Sequence, residues 1–283
     1  MNPATVKSDS LLALEGAPLY DSPFPFIVAD QFFSDEEARM LQTWFERDAR
    51  WWLQLRNFYI HDTCENMHEC PLAKADGPLS PIRRSALAEL LSERFGTALE
   101  RDSVTLGAHR MKPGAGIGIH TDNPELGTES VRLLVTLGSE AYEDSHGGHL
   151  CLFSGPHREN LTTVIRPTHN AAVAFALSNR SYHAVNDVTE GVRHSLVYGF
   201  WAEGTSPKRG AAQVRRRPHR APEDIALRLT DGPRVVGFLT GAGARGIVHS
   251  GAWLLDHLLG VASILLEWDS GETIARAGLY HSV

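Results

Sequence analysis

Lys112-Pro113-Gly114-Ala115-Gly116-Ile117-Gly118-Ile119-His120-Thr121-Asp122 decides how this chain is read. Glycine and proline break its first half, and a short extended run then ends on two side chains that bind metals. His120 and Asp122 are two apart, so in a strand both point to the same side, where one ion can be held by both. His183 lies 61 positions beyond Asp122 and must arrive by folding, as on a neighbouring strand of a barrel. Two histidines and one carboxylate on one face of a metal leave open positions, the arrangement that suits non-haem Fe(II) and oxygen chemistry. Arg193 and Ser195 share a face by the same period of two. They begin Arg193-His194-Ser195-Leu196-Val197-Tyr198-Gly199-Phe200-Trp201, in which the odd-numbered residues alternate with His194, Leu196, Tyr198 and Phe200.

Outward from these stretches, residues 104–111, 131–137, 149–153, 162–166, 171–176 and 193–201 read as short strands broken by Gly, Pro and Asn. Many short strands at this spacing predict a sandwich or barrel. Ahead of them, Ser34 followed by Glu37 is a capping-box signal, with Ala38, Leu41, Trp44 and Phe45 on one helical face. A second helix is expected from Ser80 with Pro81 at its first position. Ile82, Ala86, Leu90 and Leu91 would be its buried side and Gly96 its stop. After Trp201 the pattern breaks into Gly, Ser and Pro and a basic run, Arg215 to Arg220, read as a solvated linker. The division expected is 1–202 as the principal domain, 203–222 as linker and 223–283 as a helical segment. That tail is rich in leucine (Leu254, Leu255, Leu258, Leu259, Leu265 and Leu266) and ends within an apparent helix, Thr273 to His281. Sixty residues make a marginal independent core, so it is expected to pack on the first domain or to be part of something longer.

The bulk numbers exclude some functions. Over 283 residues, 42% apolar and 22% charged content is ordinary for a soluble globular protein. A net charge of −7 disfavours nucleic acid as a partner, because neutralising phosphates needs a basic face. No run reaches the roughly 18 consecutive apolar residues of a membrane span, and no secretory signal is visible. The three cysteines, Cys64, Cys70 and Cys151, are too few for a disulfide framework. A cytoplasmic location is expected, and a reducing compartment would also keep iron ferrous.

The ordered blocks resemble the Fe(II)/2-oxoglutarate-dependent dioxygenases, specifically the prolyl 4-hydroxylase-like branch. The stretch 112–122 looks like that family's lead-in to His-x-Asp, and Arg132-Leu133-Leu134-Val135-Thr136-Leu137 like its next strand. Gly147-Gly148-His149-Leu150-Cys151-Leu152-Phe153 looks like its Gly-Gly strand. Tyr182-His183-Ala184-Val185 with Gly191-Val192-Arg193-His194-Ser195 looks like its distal histidine and, ten residues on, its co-substrate arginine. The resemblance implies a fold that is mainly β with flanking helices: a double-stranded β-helix (jelly-roll) core, to which the tail adds a short helical segment. It implies Fe(II) on His120, Asp122 and His183, O2 at an open position, and 2-oxoglutarate on the metal and on Arg193. A planar guanidinium suits the far carboxylate, and Ser195 could add a hydroxyl donor. It further implies hydroxylation of an unactivated C–H bond with decarboxylation of 2-oxoglutarate to succinate and CO2. Asp122 favours this over halogenation, for which related enzymes carry a small residue instead. Arg110 stands where many relatives carry a tyrosine. Arg110 and Arg132 are therefore candidates for a substrate carboxylate, the alternative being structural ion pairs.

Other motifs compete less well. His61, Cys64, His68 and Cys70 invite zinc but lack its paired spacing, and a loop over the active-site mouth is the better reading. Gly241-Ala242-Gly243-Ala244-Arg245-Gly246 fits a dinucleotide fingerprint without the βαβ unit it needs, and reads as a helix-breaking loop. His109, His146, His149, His157 and His169 lack an Arg and a Ser ten and twelve residues downstream. Asp256-His257 with His281-Ser282 resembles, faintly, the first half of an HD-type phosphohydrolase domain whose second carboxylate is here a serine. The expected substrate is a small molecule such as an amino acid or natural-product intermediate. The alternatives are a peptidyl (prolyl-type) hydroxylase and a non-catalytic scaffold that keeps the fold.

Overall fold

The computed structural model describes residues 9–56, 59–64, 67–74, 77–122, 129–138, 142–205, 229–244, 247–249 and 252–281. Strands β1 (Leu19–Tyr20), β2 (Phe26–Ala29), β3 (Trp52–Arg56) and β4 (Tyr59–Cys64) precede the metal-binding stretch. β5 (Thr105–Met111), β6 (Gly116–His120), β7 (Glu129–Leu137) and β8 (Leu150–Phe153) follow. β9 (Leu161–Ile165), β10 (Ala172–Ala176), β11 (Tyr182–Val185) and β12 (Arg193–Trp201) complete a sheet that is mainly antiparallel β with flanking helices, as expected of a jelly-roll core. The strand order β1-β2-β10-β7-β12-β5-β4-β6-β11-β8-β9, with β3 on β4, makes β4 the link between two halves. β4 pairs with β5 through Asp62 to Cys64 and with β6 through Tyr59 and Ile60.

Alternation along the strands separates helix-facing from interior side chains. Val131, Leu133 and Val135 of β7 and Leu196, Tyr198 and Phe200 of β12 join the core that the helices cover. The intervening Arg132, Leu134, Arg193, Ser195 and Val197 line the interior cavity. One-residue slippage would exchange these sets, so burial fixes the register. A second apolar cluster, including Met111, Leu152, Phe175 and Val185, fills the space between the two halves.

Helices Asp9–Gly16, Asp35–Arg47 and Pro81–Phe95 cover the outer face. Helix Asp35–Arg47 starts at the expected capping box: Ser34 Oγ accepts from the Glu37 amide at 3.3 Å, and the Glu37 carboxylate accepts from the Ser34 amide at 3.3 Å. It buries Ala38, Leu41 and Phe45. Helix Pro81–Phe95 ends at Gly96, whose φ of 64° is a left-handed cap that glycine adopts without strain. Its buried face is Leu87, Ala88 and Leu91; of the expected set Leu91 is buried and Leu90 packs partly buried on the core, but Ile82 is 74% exposed, which corrects the reading at the first turn. Arg83 pairs with Glu37 and Arg84 meets His68, which turns the first turn's apolar position outward.

Beyond residue 205 the expected linker and basic run lie outside the described residues. Helices Gly232–Gly241, Leu254–Glu267 and Glu272–Tyr280, with the short hairpin β13 (Val248–His249) and β14 (Ala252–Trp253), build a separate apolar core. The first of these helices stops at the glycine run, where Gly243 has φ of 90°, as a helix-breaking loop requires. Leu254–Glu267 contacts β3, so the tail packs against the edge hairpin of the large sheet.

Candidate metal centre

β6 and β11 pair antiparallel with His120 opposite His183, which is how two residues far apart in sequence come to face one ion. Asp122 follows β6 at a φ of 54°, a left-handed turn that brings its carboxylate back toward both rings. His120 Nε2 lies 3.3 Å from Asp122 Oδ1, and His183 Nε2 lies 3.1 Å from Asp122 Oδ2. The imidazole Nδ1 atoms face backbone carbonyls, Gly118 O at 2.9 Å and Ser181 O at 2.8 Å. Each Nδ1 must therefore carry the proton, which leaves the Nε2 lone pairs turned toward a carboxylate. Three acceptor atoms converging without a proton among them fit a divalent cation. Among the described residues, this is the one group of three such side chains close enough to share an ion.

Charge around Asp122 is arranged to keep it ionised. Burial raises its pKa, but the Arg132 guanidinium beside it helps to outweigh that, and the carboxyl is held well below its usual range. Arg132 donates from Nη1 to Asp122 Oδ2 at 2.5 Å, and from Nε and Nη2 to Glu129 at 2.9 and 2.6 Å. Burial lowers the pKa of His183, opposed by Asp122, which favours the neutral ring that a metal needs.

Arg193 and Ser195 line the same cavity from β12. Arg193 is 8% exposed, its Nη1 reaches only the Met111 sulfur at 3.6 Å, and its Nε has no partner. Burial pulls this guanidinium down to about 10, so it is still cationic at neutral pH and lacks an anion. Ser195 Oγ is likewise buried without a partner. Buried polar groups are rarely left so unless a ligand completes them. Gly148 makes room for the arginine: a Cβ there would come within 2.9 Å of Arg193 Cδ, and its φ of 74° also favours glycine.

The two arginines proposed as substrate contacts are both engaged elsewhere. Arg110 does not line the cavity; it points to the helix side, donating from Nε and Nη2 to Asp62 at 2.8 and 2.6 Å and lying over the Trp51 ring. Arg132 lines the cavity but is committed to Asp122 and Glu129. In both places the geometry is that of the structural ion pair. The residues expected in a loop over the mouth are instead strand β4 and the turns after it, and they scatter. Cys64 and Cys70 enter the apolar core, His68 meets Arg84, and His61 turns into the cavity. His109 also faces the cavity, from β5. Sequence reasoning missed both as pocket residues, although period two along β4 and β5 sets them on the interior face.

Residues 106–202 match the model of the 2OG-Fe(II) oxygenase superfamily. This stretch is a 2OG-Fe(II) oxygenase domain. A Pseudomonas putida prolyl-4-hydroxylase structure is similar to the chain at 17% identity and a TM-score of 0.51, over 68% of this chain and 98% of that one. A Trichoplax adhaerens prolyl hydroxylase, solved with a hypoxia inducible factor oxygen degradation domain peptide fragment, is similar at 16% identity and a TM-score of 0.50, over 63% and 84%. These similarities establish a prolyl hydroxylase-like fold. No curated protein matches the chain. Fe(II), 2-oxoglutarate and O2 are what the oxygenase domain's superfamily uses, and the donor set here suits them. Residues 238–283 match a domain of unknown function, DUF6817. There His257 Nε2 and His281 Nε2 lie 2.9 Å apart, with no third metal-binding side chain among the described residues; Ser282 is outside them.

Proposed function

We propose that His120, Asp122 and His183 hold Fe(II), that Arg193 and Ser195 hold 2-oxoglutarate, and that the enzyme hydroxylates an unactivated C–H bond of a small molecule. The observation that carries this reading is the meeting, in one cavity, of a converging His-Asp-His set and a buried arginine with no anion. When bound, the iron and 2-oxoglutarate supply the oxidising chemistry: O2 is reduced, 2-oxoglutarate becomes succinate and CO2, and the remaining oxygen atom enters the substrate.

The protein's own part is positioning and exclusion. Gly118 and Ser181 carbonyls fix both imidazole tautomers, and Arg132 fixes the Asp122 carboxylate. Arg193 sets the far end of the co-substrate by a charge-assisted, forked hydrogen bond, to which Ser195 adds its hydroxyl. Leu134, Leu150, Val185 and Val197 make the remaining wall apolar, which limits water at the reacting centre. Gln54 and Tyr59, from the hairpin β3–β4, stand at the cavity and are the side chains placed to meet a substrate. Peptidyl hydroxylation is a second reading, favoured by the peptide bound to the Trichoplax relative.

Anaerobic addition of Fe(II) and 2-oxoglutarate should give the weak visible charge-transfer absorption of a chelated 2-oxo acid, and oxygen should then release succinate. Absence of both from the wild-type protein would sink the enzyme reading. Comparing free amino acids with proline-containing peptides for stimulated succinate release separates the two substrate classes.

A further inference from the structure

His61 and His109 face the cavity and have no part in the assignments above. β5 lies between β4 and β12, with His109 opposite Thr63 on one side and Ser195 on the other. His61 is two residues before Thr63, next to Tyr59, which pairs with Ile117 of the strand that carries His120. His61 therefore sits where β4 passes from the Arg193–Ser195 side of the cavity to the metal side. Burial brings the imidazole down to about 4, against the pull of Asp62 and aided by the Arg193 cation. At neutral pH it is an uncharged ring that can donate one hydrogen bond.

Its surroundings hold that ring still without satisfying it. His61 is 6% exposed, and its ring stacks on Tyr59 at 4.8 Å between centroids and meets the His109 ring at 4.2 Å. Its Nδ1 is buried with no protein partner. A stacking role alone would be served as well by phenylalanine, which carries no orphaned nitrogen. A second metal is not indicated, since no third ligand among the described residues joins the pair.

We infer that His61 is a third anchor for 2-oxoglutarate, donating a hydrogen bond to a carboxylate of the co-substrate as it spans from Arg193 to the metal, with His109 as the ring that fixes its orientation. This rests on the 2-oxoglutarate reading proposed above. A neutral donor suits the position, because a second cation beside Arg193 would raise the cost of the empty pocket. The fixed ring also contributes selectivity, since a 2-oxo acid too short to reach Arg193 would leave both anchors unpaired.

The test is anaerobic titration of the Fe(II)-loaded full-length protein with 2-oxoglutarate, read by the visible absorption, alongside Fe(II) affinity and melting temperature. In His61→Phe the Kd for 2-oxoglutarate should rise about tenfold or more with Fe(II) affinity unchanged. His61→Gln, which keeps an amide donor, should recover part of that loss and covers the case in which the phenylalanine variant folds poorly. Wild-type Kd in His61→Phe, or equal loss in both variants, overturns the inference. So does an unchanged Kd with a raised substrate KM, which would make His61 a substrate contact. If the wild-type protein itself shows no absorption, the co-substrate reading fails, and this inference with it.

Discussion

The β-rich oxygenase domain and the helical tail bury side chains in opposite ways. Around the metal centre the structure encloses charged and polar groups and leaves some incomplete: Arg193 Nε, Ser195 Oγ and His61 Nδ1 are all buried without a partner. In the tail the interior is leucine, valine and alanine, including Leu239, Leu258, Ala262 and Leu279, each fully buried. Apolar burial stabilises by roughly 25 cal/mol per Å2, whereas an enclosed polar atom without a partner costs about 1–3 kcal/mol. In the cavity such atoms are poised for a ligand, and none is found among the described residues of the tail. The contrast sets the chemistry in the first region, while the described interior of the second is one of apolar packing that meets the first at β3.

The sharpest way to break that contrast is to remove a metal ligand. His183→Ala should abolish Fe(II) binding and reduce succinate formation to background, while the tail's packing is untouched; metal titration and product assay measure both. Retained Fe(II) binding would show that the lone pairs converging on Asp122 are not the metal site. Arg193→Ala comes next. It removes a charged, forked contact, and the Kd for 2-oxoglutarate should rise about a hundredfold, with Fe(II) affinity kept. Anaerobic titration reads this directly.

Arg132→Leu has a smaller and double effect. Asp122 loses the cation that orients it, and Fe(II) affinity should fall roughly 10- to 100-fold. Glu129 is left buried beside Asp122 without its partner, so stability should fall by about 3 kcal/mol in urea unfolding. A variant that loses stability but binds Fe(II) normally would mean that Arg132 serves the fold alone.

How much of this was legible differs by residue. Ser34 with Glu37, Pro81 with Gly96, and the alternation from Arg193 to Trp201 act locally, so their outcome is written in adjacent residues. The His120, Asp122 and His183 set could be read because a metal fixes donor types in advance. Arg110 and Arg132 could not be assigned, since whether an arginine meets a substrate or a carboxylate depends on Asp62 and Glu129 arriving by tertiary pairing. His61 was noticed for the wrong neighbours. Cys64, His68 and Cys70 are near it in sequence, but its ring partners are Tyr59, two residues before it on β4, and His109, which the pairing of β4 with β5 brings to it. Ile82 misled because period alone does not say where a helix face is centred.

A pH experiment probes the helix-covered side of β12. His194 stacks between Phe45 and Trp51 at 5.5 Å from each, and burial, aided by Arg110 and opposed by Glu46 and Asp62, holds it down to about 4. The unfolded chain binds this proton near the ordinary value of about 6.5. The contribution is therefore present above about pH 6.5 and is lost as pH falls through about 4, on the order of 3 kcal/mol in all. Urea unfolding at pH 7 and pH 5 should show the slope, and His194→Phe should flatten it; an unchanged slope would place the titration elsewhere, on His61 or His109.

The smallest effects lie in the tail, where packing alone should decide. In helix Glu272–Tyr280, a Cβ at Gly278 would come within 2.6 Å of Leu265 Cδ1 and 3.0 Å of Val261 Cγ1. Gly278→Ala must displace the Leu265 side chain and crowd Val261, and should destabilise by about 1 kcal/mol, as overpacking does. At Gly260, on the helix that meets β3, the added methyl would lie 3.8 Å from Leu53 Cδ2, an ordinary contact. Gly260→Ala should gain roughly 0.5–1 kcal/mol from helix propensity. Thermal melts check the opposite signs, and 2-oxoglutarate affinity should be unchanged in both. A shift in that affinity on changing Gly260 would show that the tail bears on the site, because Leu53 is one residue from Gln54 at the cavity wall.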